Sequence, residues 1–392
     1  MNCIKMLGRI GMVVCLLAAC NSAITNTSPT ETFEATNTPE FIPSPTTTTS
    51  TAIPVQTGTQ EPAPLPLSEP GPYGVGLRTF TFTDPARNDR EVTITVWYPA
   101  VLPTGSTGGD YIRGAEPNYQ EAPYPLIISS TISARSFARY LVSRGFTWAS
   151  IDKIDSYLKM NEKMIDQPLD ILFALNQVAS NPPEGLDGMI DAERAGAIGY
   201  SFDGYNTLAL SGARIDPEYY LAQCPTPDAT TEAILASNFL SAFDCGPAGA
   251  WNEFATHAGK AITSSEDGLW QPMTDERIRA VIPMAAEGWW LFGEKGLAMV
   301  DQPTLMIAGS WDALYLENAL IFEHLGTPDK TMITFIGRTH DMIFYPDMEA
   351  RMAHFVVAFF GYHLQGNKEY ARYFSDGFVA QYDDLTWGVY EK

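Results

Sequence analysis

Positive charge is scarce in this chain of 392 residues, which has 24 lysine and arginine residues against 46 aspartate and glutamate residues. The formal net charge of −22 would repel a phosphate backbone, so the composition excludes nucleic acid as a partner. Neither an internal repeat nor a second long apolar run follows the N-terminal segment. A single folded domain is therefore the simplest interpretation.

Cysteine is also rare, with five residues, and two of them fall within residues 1–19. In that segment Lys5 and Arg9 precede an apolar run that is too short to span a bilayer, which predicts a secretory signal peptide. The segment ends in Leu17-Ala18-Ala19-Cys20, which resembles a bacterial lipobox. The resemblance implies cleavage before Cys20, a lipid on its sulfur, and export to the outer face of a bacterial cell membrane. An ordinary signal peptide with an incidental cysteine is the alternative.

Apolar patterning is missing from residues 20–70, which are rich in threonine, proline, serine and glutamate. Such a segment cannot bury enough apolar surface to offset the entropy lost on ordering, so it predicts a disordered tether. The two remaining cysteines, Cys224 and Cys245, are expected to pair in an exported protein. Their disulfide would close a loop of about 20 residues and stabilise the fold by about 3 kcal/mol. Two free thiols are the alternative.

Short apolar runs alternate with segments of helical composition between residues 71 and 392. The alternating run Val92–Tyr98 predicts a strand that pairs with Leu77–Thr83 in an antiparallel hairpin. Six continuous apolar runs predict buried strands: Leu126–Ile128, Phe146–Ile151, Ala195–Ile198, Ala280–Pro283, Thr304–Ala308 and Thr331–Ile336. Helical segments between them predict an α/β domain with a mostly parallel sheet and helices on both faces. An insertion at about residues 216–279 breaks this pattern. It is either a lid or a surface excursion, and the sequence favours neither.

The segment Gly199-Tyr200-Ser201-Phe202-Asp203-Gly204 lies between a predicted strand and a predicted helix. A serine on a tight strand-to-helix turn is typical of a nucleophile elbow, in which a strained backbone exposes the hydroxyl above the sheet. The usual pattern is G-x-S-x-G. Here Asp203 occupies the position of the last glycine, so the motif is incomplete.

A serine hydroxyl needs a base that takes its proton and an acid that orients the base. Among five histidines, His340 alone follows the last predicted parallel strand, in a loop at the carboxyl edge of the sheet. Asp312 follows the preceding strand at the same edge, and the order Ser201, Asp312, His340 is typical of α/β-hydrolases. Glu287 and Asp341 compete for the role of the acid, and capping of the next helix is another role for Asp312.

Several further segments match one family in the same order: Val75–Arg78, Asp84–Arg87, Val96–Ala100, Leu141–Phe146, Gln167–Ile171, Ile190–Arg194 and Asp275–Ala280. Together with the elbow and the Asp312 and His340 segments, they resemble the group that contains platelet-activating-factor acetylhydrolase and the predicted dienelactone hydrolases. The resemblance covers nearly all of residues 71–392 outside the insertion. It implies an α/β-hydrolase fold and a serine esterase without metal or organic cofactor. The implied substrates are small-molecule or lipid-like esters with short or modest acyl groups.

The oxyanion of such a reaction needs two backbone donors. The first is expected at Phe202, directly after the nucleophile, and alignment with the family implies Ile132 as the second. Two departures occur, because Asp203-Gly204 replaces the family's Gly-Gly and Ser130-Thr131 replaces its His-Gly. The position of Asp203 normally lacks a side chain because helix and strand approach closely there, and a carboxylate near an oxyanion disfavours it. These departures motivate the alternative of a catalytically impaired protein that serves as a surface ligand-binding module.

Aromatic residues near these motifs are candidates for a substrate pocket. Trp289 and Trp290 begin a cluster after a predicted strand, Tyr200 precedes the nucleophile, and Trp311 precedes the predicted acid. Packing of these rings on the core is an equally good interpretation of the pattern.

Overall fold

Nine strands form one sheet within residues 64–152, 162–223 and 251–391, the parts of the chain that the computed structural model describes. The strands are β1 (Gly74–Asp84), β2 (Arg90–Ala100), β3 (Tyr124–Ser130), β4 (Thr147–Ile151), β5 (Ile190–Tyr200), β6 (Ile278–Met284), β7 (Thr304–Gly309), β8 (Lys330–Phe335) and β9 (Leu385–Trp387). Their order is β1-β2-β4-β3-β5-β6-β7-β8-β9, and β3 to β8 are parallel to one another. All six predicted buried strands are present. The predicted α/β class with a mostly parallel sheet is confirmed.

The described helices connect these strands. They are α1 (Thr131–Val142), α2 (Lys163–Ser180), α3 (Phe202–Leu210), α4 (Pro217–Gln223), α5 (Trp251–Ala258), α6 (Lys260–Thr263), α7 (Trp289–Leu297), α8 (Tyr315–His324), α9 (Pro346–His363) and α10 (Asp376–Val379). Of these described helices, none has the length and apolarity that a membrane span requires. Four predicted features lie wholly or mostly outside the described residues: the signal peptide of residues 1–19, the lipidation site Cys20, the tether up to residue 63 and the Cys224–Cys245 pair.

The predicted N-terminal hairpin is confirmed. β1 pairs with β2 along its whole length in antiparallel register, with Leu77 opposite Trp97 and Thr83 opposite Glu91. β2 then pairs with β4, also antiparallel, and so joins the hairpin to the parallel part of the sheet. The polar threonines of the two strands face each other on the exposed side, and the apolar residues of β2 face the core.

Helices cover both faces of the parallel strands because successive side chains of a strand point to opposite faces. In β3, Ile127 belongs to the buried cluster that includes residues of α1 and α9, whereas Leu126 and Ile128 belong to the cluster that includes α2. Strands that are buried on both faces read as continuous apolar runs, which explains why the sequence revealed them.

Packing against the domain begins before residue 71. Leu65 and Leu67 are buried, and the Leu67 N–H donates to His354 Nδ1 at 3.0 Å. Leu65 and Leu67, near the end of the segment predicted as a tether, therefore contact the fold.

The insertion at residues 216–279 lies between α3 and β6 and contains α4, α5 and α6 in its described parts. Tyr220, Phe254 and Trp270 of this segment share a buried cluster with Leu208 of α3. The described parts of the insertion thus pack on the face of the sheet that α3 covers.

Candidate active site

Ser201 lies at the sharp turn between β5 and α3, with φ 61° and ψ −123°. A positive φ is rare for a residue other than glycine and is maintained only when neighbouring contacts fix it. The Ser201 N–H donates to the carbonyl oxygen of Met284 on β6 at 2.9 Å, and the Gly204 N–H donates to the Ser201 carbonyl at 2.8 Å. The predicted strained turn is therefore present.

Three of the predicted side chains form a continuous hydrogen-bonded chain. Ser201 Oγ lies 2.9 Å from His340 Nε2, and His340 Nδ1 lies 2.8 Å from Asp312 Oδ2. Because a carboxylate only accepts, Nδ1 carries the proton and Nε2 is free to accept the serine proton. The residues come from loops after β5, β7 and β8, three strands whose carboxyl ends share one edge.

Asp312 lies where the acid was expected, and it is not the capping residue of α8, whose N-cap is Leu314 without a side-chain capping bond. One carboxylate oxygen faces His340, and the other accepts the backbone N–H of Leu314 at 2.8 Å, directly before α8. The side chain of Asp312 is fully buried, which holds the acid in one orientation. The competitor Asp341 instead accepts hydrogen bonds from Thr339 and from the Tyr345 hydroxyl.

Tyr200 contacts both the backbone and the ring of His340 and so holds the loop that carries it. The Tyr200 hydroxyl donates to the His340 carbonyl at 2.8 Å, and the two ring centroids are 5.5 Å apart. Burial raises the pKa of Tyr200 well above its ordinary value, so the hydroxyl keeps its proton. The sequence suggested Tyr200 as a pocket residue. In the structure it packs against His340, with 3% of its surface exposed.

The pKa of His340 is raised above its ordinary value. Burial acts in the opposite direction, but the hydrogen bond that His340 donates to Asp312 and the charges of Asp312, Glu287 and Asp341 outweigh it. The imidazolium that forms when His340 takes a proton is therefore stabilised, which is what a general base at this position requires.

Glu287 lies beside the nucleophile as well. It follows β6 at the same edge, and its Oε1 is 3.4 Å from Ser201 Oγ. Burial raises the pKa of Glu287, and His340 opposes that shift. Behind it, Glu317 accepts the N–H groups of Gly288 and Trp289 and is itself buried. The sequence suggested Glu287 only as an alternative acid, and its position at the hydroxyl was missed.

Asp203 does not crowd the helix–strand contact as its replacement of a glycine predicted. The close approach occurs one residue later, because a Cβ on Gly204 would lie 2.7 Å from the Ala286 Cβ. Asp203 points instead towards the end of β3, where it accepts hydrogen bonds from Ser130 and Ser133. The close approach of helix and strand is thus made at Gly204, one residue after the last glycine of the usual motif.

The predicted oxyanion donors lie in the first turns of two helices. Phe202 is the first residue of α3 and Ile132 is the second residue of α1. These helices begin where the adjacent parallel strands β5 and β3 end. Phe202 and Ile132 therefore lie at the same edge of the sheet as Ser201, and their role as oxyanion donors stays a prediction.

The other aromatic candidates differ in exposure. Trp289 is buried in the core beside α3 and packs on the His324 ring at 4.9 Å, whereas Trp290 is half-buried. Both lie on helix α7. Because Trp289 is buried, it packs on the core, which was one of the two interpretations of the cluster. Trp311 is 66% exposed next to Asp312. Of the four candidates, Trp311 alone presents most of its surface to solvent beside the triad.

The other four histidines do not contact Ser201. His354 is fully buried and accepts from Leu67, and burial lowers its pKa to about 3. Within residues 64–152, 162–223 and 251–391, no group of three or more histidine, cysteine, aspartate or glutamate side chains has an arrangement suited to a metal ion.

No protein-family model matches the chain, and no curated protein matches it.

Proposed function

We propose that this protein is a serine hydrolase with an α/β-hydrolase fold that cleaves carboxylic esters through an acyl-enzyme. The single observation that supports this most strongly is the Ser201–His340–Asp312 chain, with contacts of 2.9 and 2.8 Å around a serine at positive φ. The mostly parallel sheet, the order of the three residues in the chain and the resemblance to the acetylhydrolase and dienelactone hydrolase group support the same reaction class.

The reaction follows from the protonation states of these groups. Ser201 Oγ attacks the ester carbonyl carbon while His340 Nε2 takes the hydroxyl proton, and amides at Phe202 and Ile132 donate to the oxyanion. The tetrahedral intermediate collapses, the C–O bond to the alcohol breaks, and His340 gives its proton to the leaving oxygen. Water then attacks the acyl-enzyme with His340 as base, which releases the acid and restores Ser201.

The substrates that we propose are neutral small-molecule or lipid-like esters with short or modest acyl groups. Exposed apolar side chains occur beside the triad residues in the chain, with Trp311 next to Asp312 and Phe344 four residues after His340. Glu287 places an acidic side chain next to the nucleophile. We propose further that a lipid on Cys20 anchors the protein to the outer face of a bacterial membrane.

A second candidate function is a catalytically impaired hydrolase that binds a ligand at the cell surface. Glu287 favours it, because a carboxylate 3.4 Å from Ser201 Oγ competes for the hydroxyl proton and repels the oxyanion. Like charges about 4 Å apart near a protein surface interact by up to about 4 kcal/mol, which equals the contribution of one oxyanion donor.

Hydrolysis of short p-nitrophenyl esters and covalent labelling by a fluorophosphonate test the two candidates together. The esterase proposal predicts turnover and labelling by the wild type and neither by Ser201→Ala. Well-folded wild-type protein that neither turns over a panel of esters of different acyl length nor reacts with the probe would contradict it.

A further inference from the structure

The carboxylate of Asp203 is surrounded by hydrogen-bond donors although the triad does not use it. The Ser130 N–H lies 3.3 Å from both of its oxygens, and the Ser133 hydroxyl and the Asn206 amide each lie 3.2 Å from one of them. All three donor groups are neutral, and Asp203 is 5% exposed. Among the described residues, no lysine, arginine or histidine forms an ion pair with it.

Two of these donors bracket Ile132, the residue implied as the second oxyanion donor. Ser130 is the N-cap residue of α1 and makes no capping hydrogen bond with its own side chain. The first turn of α1 contains no acidic residue. The N–H groups of a first helical turn lack partners within the helix and favour a nearby negative charge. Asp203 supplies that acceptor and that charge from α3.

Packing alone does not explain a carboxylate at this position. Burial raises the pKa of Asp203 to about 6, because the hydrogen bonds from Ser130, Asn206 and Ser133 offset only part of the desolvation. The group is therefore charged at neutral pH inside the protein. A neutral side chain of the same shape would be easier to bury.

We propose that Asp203 is a positioning residue that holds the segment Ser130–Ser133 so that the Ile132 amide points at the oxyanion. This inference rests on the proposed hydrolase function. The donors also explain how a carboxylate is tolerated here, since both of its oxygens face α1 and α3 groups that neutralise part of its charge.

Kinetics of three variants test the proposal with a short p-nitrophenyl ester. Asp203→Ala leaves the Ser130 N–H without its acceptor, and we expect kcat to fall by about 30- to 100-fold with KM changed by less than about 3-fold. Asp203→Asn keeps an oxygen for Ser130, and the Ser133 hydroxyl can reverse its role, so kcat should stay within about 3-fold of the wild type.

The matched control is Asp170→Asn, which changes another buried carboxylate, on α2, that pairs with Arg90. Its kcat should equal that of the wild type even where its stability falls. A folded Asp203→Ala variant with wild-type kcat, or with a loss no larger than that of Asp170→Asn, would overturn the proposal.

Amide hydrogen exchange of β3 and α1 tests the positioning role without any turnover. We expect the amides of residues 130–133 to exchange at least about 10-fold faster in Asp203→Ala, with exchange in β7 unchanged. Equal exchange in the two proteins would overturn the positioning role. If the wild type is inactive and exchange is still faster in the variant, the hydrolase proposal fails whereas the contact between Asp203 and the loop is upheld.

Discussion

Replacing Asp203 by asparagine should stabilise the protein more at neutral pH than at acid pH. Burial raises the pKa of Asp203 to about 6 in the folded protein, and an aspartate in an unfolded chain titrates near a pKa of about 4. Two pKa units correspond to about 3 kcal/mol. Because the folded-state pKa is the higher one, the folded state favours the neutral carboxyl. Wild-type stability is therefore lost as the pH rises from about 4 through about 6, and asparagine does not titrate in this window.

Urea unfolding of both proteins at about pH 4 and about pH 7.5 measures this effect. The free energy of unfolding of Asp203→Asn, minus that of the wild type, should increase by up to about 3 kcal/mol between the two pH values. Loss of one acceptor oxygen adds a constant that cancels in the comparison. The groups that hydrogen-bond to Asp203 are neutral, so no other titration among them contributes. A stability difference that is independent of pH would refute the reasoning.

The remaining predictions concern the base, the acid and the turn. Asp312→Asn should lower kcat by about 10⁴-fold with little change in KM, because the amide selects the wrong tautomer of His340. Steady-state kinetics measure this effect, and an unchanged kcat would exclude Asp312 as the acid. The value of kcat/KM should increase with pH and reach half of its maximum at the pKa of His340, which is raised above its ordinary value. Glu287→Gln should lower the pH of this midpoint because it removes a negative charge. Glu276→Gln, an exposed carboxylate before the opposite end of β6, should leave the midpoint unchanged, and equal shifts in both variants would contradict a local effect. Gly204→Ala should destabilise the fold by about 1 to 3 kcal/mol in urea unfolding, since its Cβ would lie 2.7 Å from the Ala286 Cβ; a neutral change would show that the turn can relax.

The sheet and the triad could be predicted because they depend on local patterns. Strands buried on both faces leave continuous apolar runs, and every one of the six predicted runs became a strand. Parallel strands end at a common edge, so the residues directly after them were expected to meet. Ser201, Asp312 and His340 each follow such a strand, and that rule brought together residues 139 and 28 positions apart.

The contacts of Asp203 could not be predicted because they join distant segments of the chain. Its partner Ser130 is 73 residues away in the chain, and nothing in the local sequence indicates which way the side chain points. The expected steric problem was assigned to residue 203 by analogy with the usual motif. The turn places that close contact at Gly204, which faces β6.

Glu287 and Trp289 show a similar limit. A carboxylate after β6 was expected at the edge of the sheet, but its distance to Ser201 depends on the path of residues 285–288. The sequence left open whether the tryptophan cluster lines a cleft or packs on the core. The tryptophan cluster forms the start of α7, because burial of Trp289, Leu291 and Phe292 in the cluster beside α3 outweighs the weak helix propensity of aromatic residues.

Covalent labelling of Ser201 tests the central claim most directly. A fluorophosphonate reacts only with a serine that a neighbouring base activates, and the modified peptide identifies the residue by mass spectrometry. The account predicts that one probe molecule attaches at Ser201 in the wild type, and that Ser201→Ala is not labelled while its thermal unfolding is unchanged. Folded wild-type protein without label, or with label on a different serine, would contradict the claim that Ser201, His340 and Asp312 form a working catalytic site.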